Sequence, residues 1–147
     1  MHYHFVPSET QMKHDIDSGK FLEYAQVHGN WYGTSFSSLK DVQLDGKACL
    51  MDIDVQGAQN IKQNHPKLDA NFIFIAPPSF SVLKDRLANR GTETEETLQR
   101  RLKNARDELE YGSEEAGNFD AVVVNDDLEV ACETLHGVIE KLYREFC

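Results

Sequence analysis

The chain has 147 residues, of which 40% are hydrophobic, and it carries a formal net charge of −10 at pH 7. No apolar run approaches the roughly 20 residues that a membrane span requires, so we expect a soluble protein with no membrane partner. So acidic a chain lacks the basic face of a nonspecific nucleic-acid binder, which excludes that class of partner. The odd number of cysteines, three, and the lack of a secretion signal favour a reduced, cytoplasmic location.

The first 34 residues are predicted to form a small mixed unit. Residues 3–6 alternate as a short strand, and the capping-box pattern Ser8-Glu9-Thr10-Gln11 opens a helix that Gly19 ends. Two alternating stretches, residues 21–27 and 31–34, flank a turn and predict a β-hairpin. The unit has too few apolar residues for a core of its own, so we expect it to be an appendage of a larger sheet.

Two carboxylates, Asp52 and Asp54, follow an apolar run at residues 48–51 and precede a helical pattern that begins at Val55. This order predicts a buried strand that ends in a helix. Ligands of an open α/β sheet bind outside the carboxyl ends of its strands, so both acids are expected to face a crevice. The alternative is that they are ordinary acids of a strand end, one of which caps the following helix.

The remaining pattern alternates strands with helices. Continuous apolar runs at residues 71–76 and 121–124 predict strands that are covered on both faces. Helices are predicted at residues 35–45, from residue 55, from a cap at Ser79, from about 92 to about 111, and at 128–146. Strands that alternate with helices indicate an α/β fold with a doubly wound parallel sheet.

Residues 86–103 form a highly charged stretch. Arg90 precedes Gly91, three glutamates occupy the first turns of the next helix, and Arg100 and Arg101 follow one to two turns later. One interpretation is a solvated surface held by ion pairs between residues four apart. The functional alternative is a mobile lid whose arginines fold over a polyphosphate.

The predicted hairpin carries Glu23, Tyr32 and Thr34. A carboxylate offers two acceptors side by side, which match the ring N–H and the exocyclic amine on the pairing edge of guanine. Adenine has no such pair of donors. A carboxylate on this hairpin is therefore suited to select guanine over adenine.

These stretches occur together and in one order, and over essentially its whole length the chain resembles guanylate kinase. The matching motifs are Tyr3-His4-Phe5-Val6, Phe21-Leu22-Glu23-Tyr24-Ala25, Gly29-Asn30-Trp31-Tyr32-Gly33-Thr34-Ser35, Leu50-Met51-Asp52-Ile53-Asp54-Val55-Gln56-Gly57, Phe74-Ile75-Ala76-Pro77-Pro78-Ser79, Arg90-Gly91-Thr92-Glu93-Thr94-Glu95-Glu96 and Val124-Asn125-Asp126-Asp127-Leu128.

The resemblance implies a P-loop kinase-like fold and phosphoryl transfer from ATP to GMP or dGMP with Mg²⁺. It divides the chain into a mixed α+β GMP-binding region at 1–34, a core at 35–84 and 113–147, and a helical lid at 85–112. Within the GMP-binding region, it implies that Glu23 and Thr34 recognise guanine.

The resemblance also gives the other motif positions roles. It implies that Asp54 assists guanine recognition, and that Tyr3 and Tyr32 donate their hydroxyls to the GMP phosphate. Asp52 is placed near Mg²⁺ and its waters. For ATP, the resemblance implies that Arg90 and Arg101 of the lid contact the transferring phosphate. It implies that Asn125 borders the adenine.

The chain departs from this family in one respect. The family's members begin with a strand and a phosphate-binding loop of the form G-x-x-x-x-G-K-[ST], and no such sequence occurs in these 147 residues. We therefore expect the chain to be inactive alone. The missing strand belongs beside the strands at Cys49 and Val122, so we expect exposed sheet edges that favour self-association.

Two other functions fit parts of the pattern. One is a catalytically dead guanylate-kinase-like module that binds a phosphorylated protein partner; the lid arginines and the guanine-recognition residues argue against it, because a peptide binder does not need them. The other is an α/β domain with no nucleotide role, and the ordered occurrence of the motifs argues against that.

Overall fold

The computed structural model of the chain describes residues 6, 8–27, 30–89 and 95–144. The chain divides into two compact units, Met1–Leu68 and Asp69–Cys147. The first contains α1 (Glu9–Asp17), β1 (Phe21–Val27), β2 (Asn30–Ser35), α2 (Phe36–Leu44) and α3 (Val55–Asn64). The second contains β3 (Ile73–Ala76), α4 (Phe80–Asn89), α5 (Glu95–Tyr111), β4 (Ala121–Val124) and α6 (Leu128–Leu142).

The helices of the first unit begin and end where the sequence predicts. The hydroxyl of Ser8 accepts a hydrogen bond from the backbone N–H of Gln11, three residues into α1, and thereby satisfies a donor that the helix leaves unpaired. Gly19 and Gly46 follow the ends of α1 and α2 with φ near +70°, a conformation that glycine adopts without steric cost. The sequence places Val55, Ala58 and Ile61 on one face of α3, and of these Ala58 and Ile61 are buried.

The predicted hairpin is also confirmed, because β1 pairs with β2 in antiparallel register. The pairing is regular from Val27, opposite Asn30, to Glu23, opposite Thr34. It then shifts by one residue, so that Phe21 lies opposite Ser35 and Leu22 is the extra residue of a β-bulge. The turn residues 28–29 and the predicted strand at 3–6, apart from Val6, lie outside the described residues, and Val6 itself is not in a strand.

The strand that the sequence predicts at residues 48–51 is wrong. Residues 47–54 contain no strand, and the side chain of Leu50 is 85% exposed. A strand needs a neighbour to pair its backbone groups, and the strands described in this structure pair only as β1 with β2 and β3 with β4. An apolar run in the sequence does not show whether a partner strand is present, so the run alone could not exclude this strand.

The second unit is built on a parallel pair, as predicted. Residues 73–76 of β3 pair in order with residues 121–124 of β4, and the backbone N–H of Asn125 donates to the carbonyl of Ala76 just beyond the paired residues. The prediction that both strands are covered on both faces is wrong, since Ile75 is 46% and Val124 is 52% exposed. Val123, by contrast, is almost fully buried.

The helices of the second unit agree with the sequence in position. The hydroxyl of Ser79 caps α4 through the N–H of Val82, and the carboxylate of Asp127 caps α6 through the N–H of Val130. The final helix ends at Leu142, four residues earlier than predicted. No helix within the described ranges is long and apolar enough to cross a membrane.

Gly112 provides a test of the packing of the second unit. It follows α5 and is buried against the ring of Phe74, and a Cβ atom at this position would lie 2.4–2.6 Å from three ring carbons. Phe74 in turn contacts Phe119 at 5.2 Å between ring centroids, so its ring cannot move away without disturbing that contact. We expect Gly112→Ala to lower the free energy of unfolding by about 1–3 kcal/mol, the usual cost of overpacking a core.

The control for this prediction is Gly137→Ala. Gly137 lies inside α6, and a Cβ atom there meets nothing within 4 Å, so the same change should raise stability by about 0.5–1 kcal/mol. Urea unfolding of both variants measures the difference. Equal stabilities for the two variants would contradict the packing described here.

Candidate functional site

One face of the hairpin gathers three of the candidate residues. Directly paired residues of an antiparallel sheet project to the same face, and successive residues alternate between faces. The pairs Glu23 with Thr34 and Ala25 with Tyr32 therefore share one face. We call this the carboxylate face, and we call the opposite one, which carries Tyr24, Gln26, Trp31 and Gly33, the tryptophan face.

A hydrogen bond fixes the carboxylate on this face. The hydroxyl of Thr34 donates to Oε1 of Glu23 at 2.8 Å, in a partly buried position. This contact leaves Oε2 of the carboxylate and the second lone pair of Oε1 as acceptors. The hydroxyl-bearing ring of Tyr32, 51% exposed, lies two residues away from Thr34 on the same face. The carboxylate face thus combines an oriented acceptor pair with an exposed phenol donor.

Asp54 caps the helix that follows it, as the alternative interpretation of the two acids predicts. Its Oδ1 accepts a hydrogen bond from the N–H of Gly57 at 2.7 Å, and Asp54 is the N-cap of α3. Asp52, two residues earlier, is exposed. Helix α3 packs on β1, so the capped end of this helix belongs to the same unit as the carboxylate face.

The described residues contain no group of three or more His, Cys, Asp or Glu side chains that could hold a metal ion by themselves. Mg²⁺ in a phosphoryl-transfer site keeps several waters and is bound by one or two carboxylates together with substrate phosphates. The exposed carboxylate of Asp52 has the oxygen chemistry required for a contact through water.

The second unit carries the remaining candidates, Arg101 and Asn125. Arg101 lies on α5 and is exposed, next to the buried Leu102. Arg90 lies outside the described residues, as does Tyr3. Asn125 directly follows β4, at the carboxyl end of the parallel pair, which is where α/β sheets bind their ligands.

Arg86 is not one of the candidate residues that the sequence motifs mark, but the structure places its guanidinium against the turn at residues 125–127. Its Nη1 donates to the carbonyl of Asn125 at 2.6 Å and its Nη2 to the carbonyl of Asp126 at 3.1 Å. One guanidinium therefore holds two successive carbonyls of the turn between β4 and α6. The sequence carried no signal for this contact, because Arg86 is an exposed charge on α4 beside the buried Leu87.

Ion pairs elsewhere in the first unit lower the pKa of two carboxyl groups. The hydrogen bond from Lys20 lowers the pKa of Asp15, and the hydrogen bond from Lys13 lowers the pKa of Glu9. Both groups lie on α1, where Glu9 is exposed and Asp15 is partly buried. They contribute negative charge near neutral pH and lie outside the carboxylate face.

Comparison with protein families gives a match over almost the whole chain. A family model described as guanylate kinase matches residues 1–142. Guanylate kinase 1 of Oryza sativa subsp. japonica is 51% identical over 135 residues, which are 92% of this chain and 34% of the rice protein. The guanylate kinase of Schizosaccharomyces pombe is 43% identical over 136 residues, or 92% of this chain and 65% of the yeast protein.

Comparison with solved structures gives the same result. The crystal structure of guanylate kinase from Anaplasma phagocytophilum has a TM-score of 0.66 and 29% sequence identity, and the match covers 95% of this chain and 64% of that one. The α/β, P-loop kinase-like fold expected from the sequence is thereby confirmed. The chain spans between a third and two thirds of the length of these relatives.

Proposed function

The chain belongs to the guanylate kinase family. From this premise we propose that the chain binds GMP or dGMP and is part of an enzyme that transfers a phosphoryl group from ATP to that nucleotide. The reaction converts GMP or dGMP and ATP to GDP or dGDP and ADP in purine nucleotide metabolism. We place this enzyme in the cytoplasm, with nucleotides rather than nucleic acids as its partners.

The observation that carries the proposal is the oriented carboxylate of Glu23. Thr34 holds Oε1 of this side chain at 2.8 Å, so the acceptors are fixed before a ligand arrives, and no ordering of the side chain is needed on binding. Guanine presents two adjacent donors to such a carboxylate, while adenine presents none in that arrangement. This contact selects the base.

The other residues of the first unit complete the GMP site. Tyr32 donates its hydroxyl to the GMP phosphate from the carboxylate face, and Tyr3 does so from the start of the chain. The free oxygen of Asp54 assists at the base while its Oδ1 caps α3. The two tyrosines belong to the GMP-binding region at residues 1–34, and Asp54 contributes from the core.

Phosphoryl transfer needs little covalent chemistry from the protein, because catalysis consists mainly of positioning the two substrates and neutralising charge. Arg90 and Arg101, from the lid at residues 85–112, supply positive charge to the transferring phosphate. Asn125, in the core at residues 35–84 and 113–147, borders the adenine of ATP. Asp52 would hold Mg²⁺ through its waters, and the ion would supply positive charge to the phosphate oxygens. Closure of the lid keeps water away from the reacting phosphate.

We also propose that the 147-residue chain is inactive alone and that copies of it associate with one another. The sequence contains no G-x-x-x-x-G-K-[ST] loop to hold the phosphates of ATP. Within the described ranges β3 pairs only with β4, and Ile75 of β3 is 46% exposed. An unpaired apolar edge favours pairing between chains.

The direct test of the function is calorimetric titration of the purified chain with GMP and with AMP. We expect measurable binding of GMP and at least about tenfold weaker binding of AMP, since a fixed acceptor pair discriminates between bases by about 1–3 kcal/mol. AMP carries the same phosphate and ribose, so it controls for contacts outside the base. Equal affinity for the two nucleotides would contradict guanine recognition.

A further inference from the structure

Gly33 is packed against the backbone of the residue that carries the site's carboxylate. A Cβ atom at this position would lie 2.6 Å from the carbonyl oxygen of Glu23 and 3.1 Å from Cβ of Tyr24. Real Cβ atoms essentially never approach other atoms closer than 3.0 Å. The Glu23 backbone can therefore hold its present position against β2 only if residue 33 has no side chain.

The same missing side chain leaves room for the ring of Phe21. Its Cδ1 would lie 2.9 Å from a Cβ at Gly33, so the ring sits beside Gly33 on the tryptophan face. In a regular strand Phe21 would share the face of Glu23, because residues two apart project to the same side. The bulge at Leu22 shifts the register between Phe21 and Glu23 and turns the ring to the opposite face.

From these contacts we infer that Gly33 and the Leu22 bulge are positioning features for guanine selection. Gly33 accepts the Phe21 ring on the tryptophan face, and the bulge delivers the ring there. The carboxylate face beside Glu23 and Thr34 is thereby kept clear for a purine. The inference rests on the proposed function, since it concerns the residues that hold the carboxylate of Glu23 in place.

The variant Gly33→Ala tests this inference. The added methyl group must displace the Glu23 backbone, the Phe21 ring or both, and binding sites tolerate displacements of only about 0.5 Å. The readout is the ratio of dissociation constants for GMP and inosine monophosphate, which lacks the exocyclic amine of guanine. We expect the wild type to prefer GMP by roughly tenfold to a hundredfold, and the variant to bind both ligands within about twofold of each other.

Three controls accompany the variant. Gly137→Ala makes the same chemical change where the methyl group meets nothing within 4 Å, and it should keep the wild-type ratio. Inorganic phosphate should bind the wild type and Gly33→Ala equally. The fluorescence of Trp31, the only tryptophan in the chain, reports whether the hairpin keeps its structure, because this residue lies in β2.

Thr34→Val provides a second route to the same readout without any added bulk. It removes the hydroxyl that donates to Glu23 at 2.8 Å and leaves Gly33 unchanged, so it should lower the ratio through loss of a hydroxyl that both orients Glu23 and belongs to the guanine-recognition pair. This variant lowers the ratio whether or not Gly33 takes part in selection, so it calibrates how much the Glu23–Thr34 pair contributes.

The possible outcomes separate the inference from the function beneath it. A Gly33→Ala protein that unfolds cooperatively and keeps the full preference for GMP overturns the inference and leaves the proposed function intact. A variant that has lost its cooperative unfolding also overturns it, because Gly33 would then support the fold and not selection. A wild type without preference between GMP and inosine monophosphate overturns guanine recognition itself, and the inference with it.

Discussion

Replacing Glu23 with Gln should weaken GMP binding by about a hundredfold or more. The amide keeps the shape of the side chain but replaces one acceptor with a donor, which then faces a donor of guanine. The hydroxyl of Thr34 can still donate to the remaining carbonyl oxygen, so the fold of the hairpin should persist. Sites built on paired hydrogen bonds lose up to 10⁴–10⁵ in selectivity when the pairing fails. The Glu23–Thr34 contact is only partly buried, so the expected loss lies toward the lower end.

The measurement is calorimetry with GMP and with inorganic phosphate. A loss confined to GMP shows that the base and not the phosphate has lost its partner. Glu9→Gln is the matched control, because it removes the same charge from the same unit, at an exposed carboxylate that pairs with Lys13 at 2.8 Å. Equal GMP affinities for the wild type and Glu23→Gln would end the assignment of Glu23 to guanine.

The second large effect concerns turnover. We expect a protein of these 147 residues, given ATP, GMP and Mg²⁺, to release ADP at least about 10³-fold more slowly than a family member with a complete phosphate-binding loop. In such a loop, backbone N–H groups and a lysine hold the β and γ phosphates of the donor. Loss of even one preorganised donor typically costs 10²–10³ in rate, and the exposed side chain of Arg101 is no substitute for a fixed cradle.

A coupled assay of ADP release tests this expectation. Binding of GMP by the same preparation serves as the control, because it shows that the absence of turnover does not come from unfolded protein. Turnover within tenfold of the complete relative would mean that these residues contain another phosphate cradle, and the proposal of inactivity would then be abandoned.

Much of the local structure follows from the sequence alone. The caps at Ser8, Ser79 and Asp127 are short-range hydrogen bonds between a side chain and a backbone N–H three residues later, so sequence spacing determines them. The hairpin follows in the same way, because alternation of side chains and a turn between two strands are local signals. The hairpin in turn puts Glu23, Tyr32 and Thr34 on one face.

Other features were decided by tertiary structure. The run at residues 48–51 reads as a strand, yet it forms none and Leu50 is 85% exposed. A strand forms only where another strand pairs with its backbone. Arg86 reads as one more charge on a helix, but its guanidinium reaches two carbonyls some 40 residues away along the chain. Gly33 reads as one residue of a predicted strand, whereas the structure leaves no room for a Cβ atom there, which would lie 2.6 Å from the carbonyl oxygen of Glu23. Spacing along a chain specifies local hydrogen bonds, but contacts between distant segments depend on the packing of the folded protein.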